Sequence, residues 1–313
     1  MHLKSIRKSI RQLVILLCAI VLLAGALYAA AWLTNRSRIR QQTEEYARLY
    51  TPAESTCTPT ASPTQSAAPS PEPTASAEPE PGLPAVVDRP RATPDGDTIV
   101  LSLPTPPPVQ ESFAELLALN PETVAFLTID DVITLPVVQR ENDNSYYLTH
   151  TFEQAESSEG TLFLDGMNRL SPEDDCLIVY GHNMHNGTMF GALDRYAERS
   201  FLEAHPIAAF DTIYENRTYV PIATFPASMN PDSPDYFEVR QFLFDPQTFD
   251  WFISRLKAKS LFDIPVDAVY GDRILLLVTC DYTKDDGRFI LALRQLRDGE
   301  TAEEMRALIS PDA

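Results

Sequence analysis

From Thr51 to Pro108 the chain is built of Pro, Ser, Thr, Ala and Glu, with hardly an aromatic side chain among them. Such a composition cannot bury enough apolar surface to offset the entropy lost on ordering, so the stretch is predicted to be disordered or polyproline-like. Everything that can fold must lie on one side of it or the other. Fully extended at about 3.1 Å per residue, it would reach on the order of 180 Å, the length of a stalk.

On the N-terminal side, Lys4, Arg7, Lys8 and Arg11 precede an uncharged apolar run from Leu13 to Leu33. As a helix that run would be about 31 Å long, enough for a hydrocarbon core of about 30 Å. A cleaved signal peptide is the competing reading. The run is longer than an ordinary signal core and lacks a small-x-small cleavage site, which favours a retained anchor. Arg36, Arg38 and Arg40 follow it, so the charge comparison across the span is nearly balanced. The bulk of the chain lies C-terminal, so the short basic head is expected inside and the rest outside. The expected localisation is the cell membrane, single-pass, with the N-terminus cytoplasmic and the C-terminal domain extracellular. Gln41–Tyr50 reads as a short helix.

Net charge is −19, unevenly distributed. Residues 1–43 hold seven Lys/Arg and no acidic residue, so the remainder carries 18 basic against 44 acidic side chains. A body this acidic does not suit nucleic acid, which needs a basic face to neutralise phosphates. The four cysteines, Cys18, Cys57, Cys176 and Cys280, form no CxxC pair, which excludes a zinc ribbon or a thioredoxin-like motif. Cys57 falls in the stalk. Cys176 and Cys280 could be a disulfide or two separate thiols. Cys176 opens the apolar Leu177–Tyr180 and suits a small buried hydrophobe.

From Val109 onward there is ample sequence for one core. Ser112–Leu119 reads as an amphipathic helix, with Ser112 as its cap and Glu115 at the capping-box position. Short apolar pieces follow at 124–129, 133–138, 146–149, 160–164, 177–181, 208–214, 217–224 and 237–240, then 268–270, 273–279 and a returning strand from Arg288. Strands of this length and spacing predict a β-barrel or sandwich. One helix interrupts them at 246–257: Phe249, Phe252, Ile253 and Leu256 recur at i, i+3, i+4 and i+7, with Asp245 as N-cap and Pro246 at N1. Thr301–Leu308 reads as a last helix in the tail.

Two chemical groups stand at strand ends. Leu275–Cys280 is an apolar strand ending on a thiol, and the Asp285-Asp286-Gly287 turn brings Arg288 back beside it. Leu177–Gly181 runs directly into His182. His182 and His185 lack a third ligand at suitable spacing, so no metal is expected, and no cofactor either. A thiol, an imidazole and a guanidinium are together sufficient for acyl transfer. The thiolate attacks, the imidazole moves protons, and the guanidinium, which keeps its proton, stabilises an oxyanion.

Tyr180-Gly181-His182-Asn183-Met184, Met189-Phe190 with Leu193, and Thr279-Cys280 with Arg288 resemble the class B sortases. Pro136–Gln139, Asp143-Asn144 with Leu148, and Gly160–Asp165 match the same pattern, so the resemblance runs from about Leu116 to Arg294. It implies a mostly-β fold: a sortase-type eight-stranded β-barrel with an N-terminal helix and a helix in the insertion before the last strands. It implies a membrane-bound cysteine transpeptidase that cuts a C-terminal sorting signal of a secreted protein. The acyl group would pass through a thioacyl enzyme to an amine of a peptidoglycan precursor or a pilin. By position, Cys280 is the nucleophile, His182 the general acid/base and Arg288 the oxyanion donor. Asn144, Leu148, Tyr180 and Thr279 would bind substrate. Leu276 and Val278 stand where the family often has Thr and Ser, which bears on the signal read.

The implied organisation is a basic head (1–12), a transmembrane anchor (13–33), a juxtamembrane segment and linker (34–108), the catalytic domain (109–300) and a tail (301–313). Three other readings use the same residues: a pilin-polymerising enzyme, a hydrolytic cysteine peptidase, and a catalytically idle surface module.

Overall fold

The computed structural model describes residues 2–50, 105–280 and 286–310. Most of the expected stalk, and residues 281–285 of the turn after Cys280, lie outside the described residues.

Eight strands close into a barrel. They are β1 (Thr123–Ile129), β2 (Ile133–Val138), β3 (Leu162–Leu164), β4 (Cys176–Gly181), β5 (Ala208–Thr212), β6 (Thr218–Ser228), β7 (Ile274–Cys280) and β8 (Gly287–Gln295). Their spatial order is β1-β2-β3-β4-β7-β8-β6-β5, and β5 pairs with β1 to complete the circle. β2–β3 and β4–β7 are parallel and the other pairs antiparallel. The parallel β4–β7 pair lies deep in the wall, which is why both strands read as unbroken apolar runs rather than alternating ones. Leu275, Leu276, Leu277, Ile178 and Val179 are all fully buried.

The helices are α1 (His2–Leu49), α2 (Ala114–Leu119), α3 (Arg199–Ala204), α4 (Pro246–Lys259) and α5 (Ala302–Ile309). α4 follows its sequence signals closely. Asp245 Oδ1 accepts from the Thr248 backbone at 2.8 Å, and Thr248 Oγ1 accepts from the Asp245 backbone at 2.9 Å. Its four predicted apolar positions are all buried, and Phe249 and Phe252 pack on Phe244, with Phe252 also touching Phe237. α5 opens on a capping box between Thr301 and Glu304. Ile309 is buried and Ser310 Oγ donates to the Glu203 carbonyl, so the folded unit extends past residue 300.

Four local expectations are corrected. Tyr146–Leu148 is a 3-10 turn, not a strand: Tyr147 is drawn inward, where its hydroxyl donates to Glu122 at 2.5 Å. Residues 237–240 keep a strand-like alternation, with Phe237 and Val239 buried, but they belong to no strand, and among the described residues the sheet contact beside them is an isolated Ser228–Tyr236 bridge. The alternation comes from packing against α4 and the barrel, because β6 already pairs with β5 and β8. Residues 268–270 form no strand either; Val269 and Tyr270 are exposed and the chain turns at Gly271. Ser112 caps no helix. It lies in a 3-10 turn, Glu111–Phe113, with its hydroxyl buried and without a partner.

The predicted apolar span and the short helix after it belong to one continuous helix, α1. Among the described residues, no helix is long and apolar enough to cross a membrane. The far end of α1 rests on the barrel. Tyr50 stacks on Phe126 at 4.5 Å between ring centroids and donates to Asp211 Oδ2 at 2.8 Å. Tyr46 packs on Phe152 and donates to Glu153. Where the description resumes, the Gln110 side chain donates to the Thr212 carbonyl at 2.7 Å and its backbone N–H to that of Ile213. Both flanks of the proline-rich stretch are therefore attached beside the end of β5.

Candidate active site

The ends of β4 and β7 define the site. In the parallel register Tyr180 faces Val278 and Gly181 faces Thr279, so His182 and Cys280 each follow the last paired residue of adjacent strands. On the other side of β7, Cys280 is the antiparallel partner of Arg288 on β8. Thus His182, about a hundred positions upstream, lies at the end of the strand beside the one that carries Cys280, and Arg288 is on the strand beyond.

Gly181 is required by the packing under His182. A Cβ there would lie 2.4 Å from Leu162 Cδ2 and 2.8 Å from the Phe190 ring. After His182 the loop folds back: the Phe190 backbone N–H donates to the His182 carbonyl at 2.9 Å, and Asn183 bridges to Met189. His182 Nε2 lies 2.8 Å from the Leu148 carbonyl oxygen. A carbonyl can only accept, so Nε2 carries the hydrogen in this contact.

A groove of about 290 Å³ is lined in part by His182 and Arg288. Asn144, Leu148 and Tyr180 line it together with Met229, Glu238, Val239 and Arg240. Thr279 also borders it, but its side chain is buried and its hydroxyl donates to the Gly181 carbonyl at 2.8 Å. That hydroxyl ties β7 to β4 and is committed within the protein. Cys176 is fully buried at the other end of β4, where desolvation, assisted by Asp174 and Asp175, pushes its thiol well above the ordinary range. Among the described residues, no cluster of His, Cys, Asp and Glu could hold a metal ion.

Sequence reasoning passed over the wall formed by Glu238 and Arg240, and the carboxylate that holds it. Asp165 is wholly buried, and its Oδ2 accepts from Asn144 Nδ2 at 3.0 Å, Tyr180 Oη at 3.1 Å and Arg240 Nε at 3.0 Å. Desolvation and the Asp165 charge raise the Tyr180 phenol, which stays protonated as a donor. The only sequence signal was the alternation at 237–240, which marks Glu238 and Arg240 as facing away from the core.

No family model matches the chain. Sortase B of Listeria monocytogenes is 31% identical over 186 residues, covering 58% of this chain and 73% of that protein. Among solved structures, sortase B from Bacillus anthracis in complex with AAEK2 has a TM-score of 0.55 at 27% identity, covering 61% of this chain and 85% of that one. The Staphylococcus aureus sortase B–substrate complex has a TM-score of 0.53 at 26% identity, covering 61% and 88%. With the eight-stranded barrel and its order of motifs, this likeness makes the chain a member of the class B sortases, cysteine transpeptidases.

Proposed function

We propose that the chain cleaves a C-terminal sorting signal and transfers the new acyl end to an amine. Cys280 serves as nucleophile, His182 as acid and base, and Arg288 as oxyanion donor. The observation that carries these roles is the register of β4, β7 and β8, which sets the three residues on adjacent strand positions. The Cys280 thiolate attacks the scissile carbonyl, and Arg288 N–H groups stabilise the oxyanion. As the C–N bond breaks, protonated His182 gives its proton to the leaving amine, and a thioester remains on Cys280. The acceptor amine then attacks that thioester and yields its proton to His182, and Cys280 leaves as thiolate. The solved sortase B–substrate complex named above supports a peptide in the groove. A peptidoglycan amine fits this reading as acceptor.

The same reading places the enzyme at a membrane, through residues 13–33, with the catalytic domain outside the cell. The sequence supports it with 21 uncharged residues, and the side chains of Leu17, Ile20, Val21, Leu22, Leu23, Leu27 and Leu33 stand exposed along α1. The stalk is revised within this proposal. Because Tyr46 and Tyr50 dock on the barrel, the domain sits at the end of α1, about 24 Å beyond residue 33 at 1.5 Å per residue. On this reading the reach of the domain is set by α1 and the two tyrosine contacts on the barrel.

The test is incubation of the full-length protein in detergent with sorting-signal peptides and amine acceptors, followed by mass spectrometry. A thioester adduct on Cys280 and a ligated product are expected. A folded protein that forms no adduct with any peptide would overturn the proposal.

A further inference from the structure

The same groove also holds an arrangement that the reaction itself does not need. Asp165 gathers three groove-lining side chains from three separate stretches. Asn144 comes from the connection between β2 and β3, Tyr180 from β4, and Arg240 from the segment between β6 and α4. Its other oxygen, Oδ1, accepts from the Met167 backbone at 2.9 Å, so the carboxylate is fully used. Asn144 is fixed at both ends of its amide, since its Oδ1 accepts from the Gly166 backbone at 2.7 Å. These two residues cannot turn toward a ligand without breaking buried hydrogen bonds.

Arg240 differs. The Arg240 side chain is 46% exposed while its partner carboxylate is 0% exposed. It donates Nε to Asp165 and hydrogen-bonds the Tyr180 side chain, and the residue lines the groove. The backbone that carries it is held as well. Glu238 Oε1 accepts from the Arg240 backbone at 2.9 Å, and Glu238 Oε2 from Tyr236 Oη at 2.8 Å. Phe237 is buried between Phe225 and Phe252. A planar donor held by Asp165 and by a hydrogen bond with Tyr180, on an anchored backbone, can present its remaining N–H groups at a fixed angle. Within the groove the formal charges of Arg240 and Arg288 are matched by Asp165 and Glu238, so no excess positive field favours an anionic peptide over a neutral one.

We infer that Arg240 is a specificity-determining residue, donating hydrogen bonds to an uncharged acceptor of the bound peptide upstream of the scissile bond, and that Asp165 is the positioning residue that aims it. The inference rests on the groove being the peptide site. Asp165 also locks Asn144 and Tyr180, so one buried carboxylate sets the spacing of both groove walls. An arginine that merely neutralised a buried carboxylate would have no need of the groove, and lysine would replace it.

That contrast supplies the test. Binding of a peptide array, randomised at the four positions upstream of the scissile bond, is measured with full-length protein carrying Cys280→Ala, so the readout does not depend on turnover. Adding Arg240→Gln or Arg240→Lys should weaken the best peptides about tenfold, the scale of a hydrogen bond from a charged donor, and flatten the preference at one position. Arg240→Lys should keep the wild-type melting temperature, because it still neutralises Asp165. Asp165→Asn should flatten the same position as Arg240→Gln. If Arg240→Lys binds with wild-type affinity and profile, Arg240 only balances charge and the inference fails. It also fails if Arg240→Gln weakens all peptides equally, with no position flattened. Peptide binding without a Cys280 adduct in the otherwise wild-type protein would instead count against the transpeptidation roles alone.

Discussion

Gly181 and Thr279 are the last rung of the parallel β4–β7 pair, and the Thr279 hydroxyl donates to the Gly181 carbonyl oxygen at 2.8 Å. The next residue along each chain is His182 or Cys280, so this bond ties together the two strand ends that carry them. Thr279→Val keeps the shape and removes the donor, leaving a buried carbonyl unpaired. The expected cost is about 1 kcal/mol, or a melting-point drop of about 2–4 °C. Transpeptidation should fall further than that loss of stability explains, through kcat rather than KM. Unchanged kcat in a destabilised Thr279→Val protein would show that the rung is structural only.

The Leu148 carbonyl fixes the hydrogen of His182 on Nε2. Nitrogen NMR of the protein with labelled histidine should therefore find the neutral ring as the Nε2–H tautomer, with Nδ1 unprotonated. A dominant Nδ1–H form would show that the Leu148 carbonyl does not hold the ring.

Cys176 and Cys280 lie at opposite ends of neighbouring strands, one at the start of β4 and one at the end of β7. Cys280→Ala should abolish cleavage of a sorting-signal peptide. Cys176→Ala should leave it largely intact and cost about 1 kcal/mol of stability, the ordinary loss for a small core truncation. Comparable loss of activity in both variants would overturn the assignment of roles.

Much of this was legible in the chain because the site is built at strand ends. Apolar runs stopping at Gly181-His182 and Thr279-Cys280 name their own termini, and the Asp285-Asp286-Gly287 turn predicts that Arg288 returns beside Cys280. α4 was legible for the same local reason, with its cap, its proline and its apolar period all inside one window. The misread elements are those whose pattern is set at a distance. The alternation at 237–240 comes from α4 packing, and Tyr147 turns inward to reach Glu122, 25 positions upstream. Asp165 shows the limit most sharply. Its three donors lie 15 to 75 positions away, and no spacing rule connects them.

The docking of α1 depends on Tyr50, whose hydroxyl meets a carboxylate that burial raises above the ordinary range, with the Tyr50 and Arg217 hydrogen bonds acting against the shift. Tyr50→Phe keeps the stacking on Phe126 and removes that bond, and should loosen the helix end only moderately. Tyr46→Ala with Tyr50→Ala removes both rings and should release it. Hydrogen exchange of residues 41–50 should rise in that order, with the barrel strands unaffected. If the double variant exchanges no faster than wild type, the helix end is not held by these rings, and the proposed height of the domain above the membrane loses its support.

Glu300 gives the acid limb of stability a definite sign. Its carboxylate pairs with the buried guanidinium of Arg294 at 2.5 and 3.1 Å and accepts from the Arg297 backbone at 2.8 Å. The Arg294 hydrogen bond, against partial burial, holds its folded-state pKa below the usual carboxylate range. A depressed pKa means that the stabilisation is complete above the unfolded value, about 4.3 for Glu, and is lost as pH falls through the folded value. Glu300→Gln should therefore lower the melting temperature at pH 7, and the gap from wild type should close as pH drops below about 4. Arg294 lies on β8, where it pairs with Ile274 on β7, so the loss should register as global unfolding rather than fraying of α5. Melting curves of both proteins between neutral and acid pH decide it: parallel curves would mean that Glu300 titrates alike folded and unfolded.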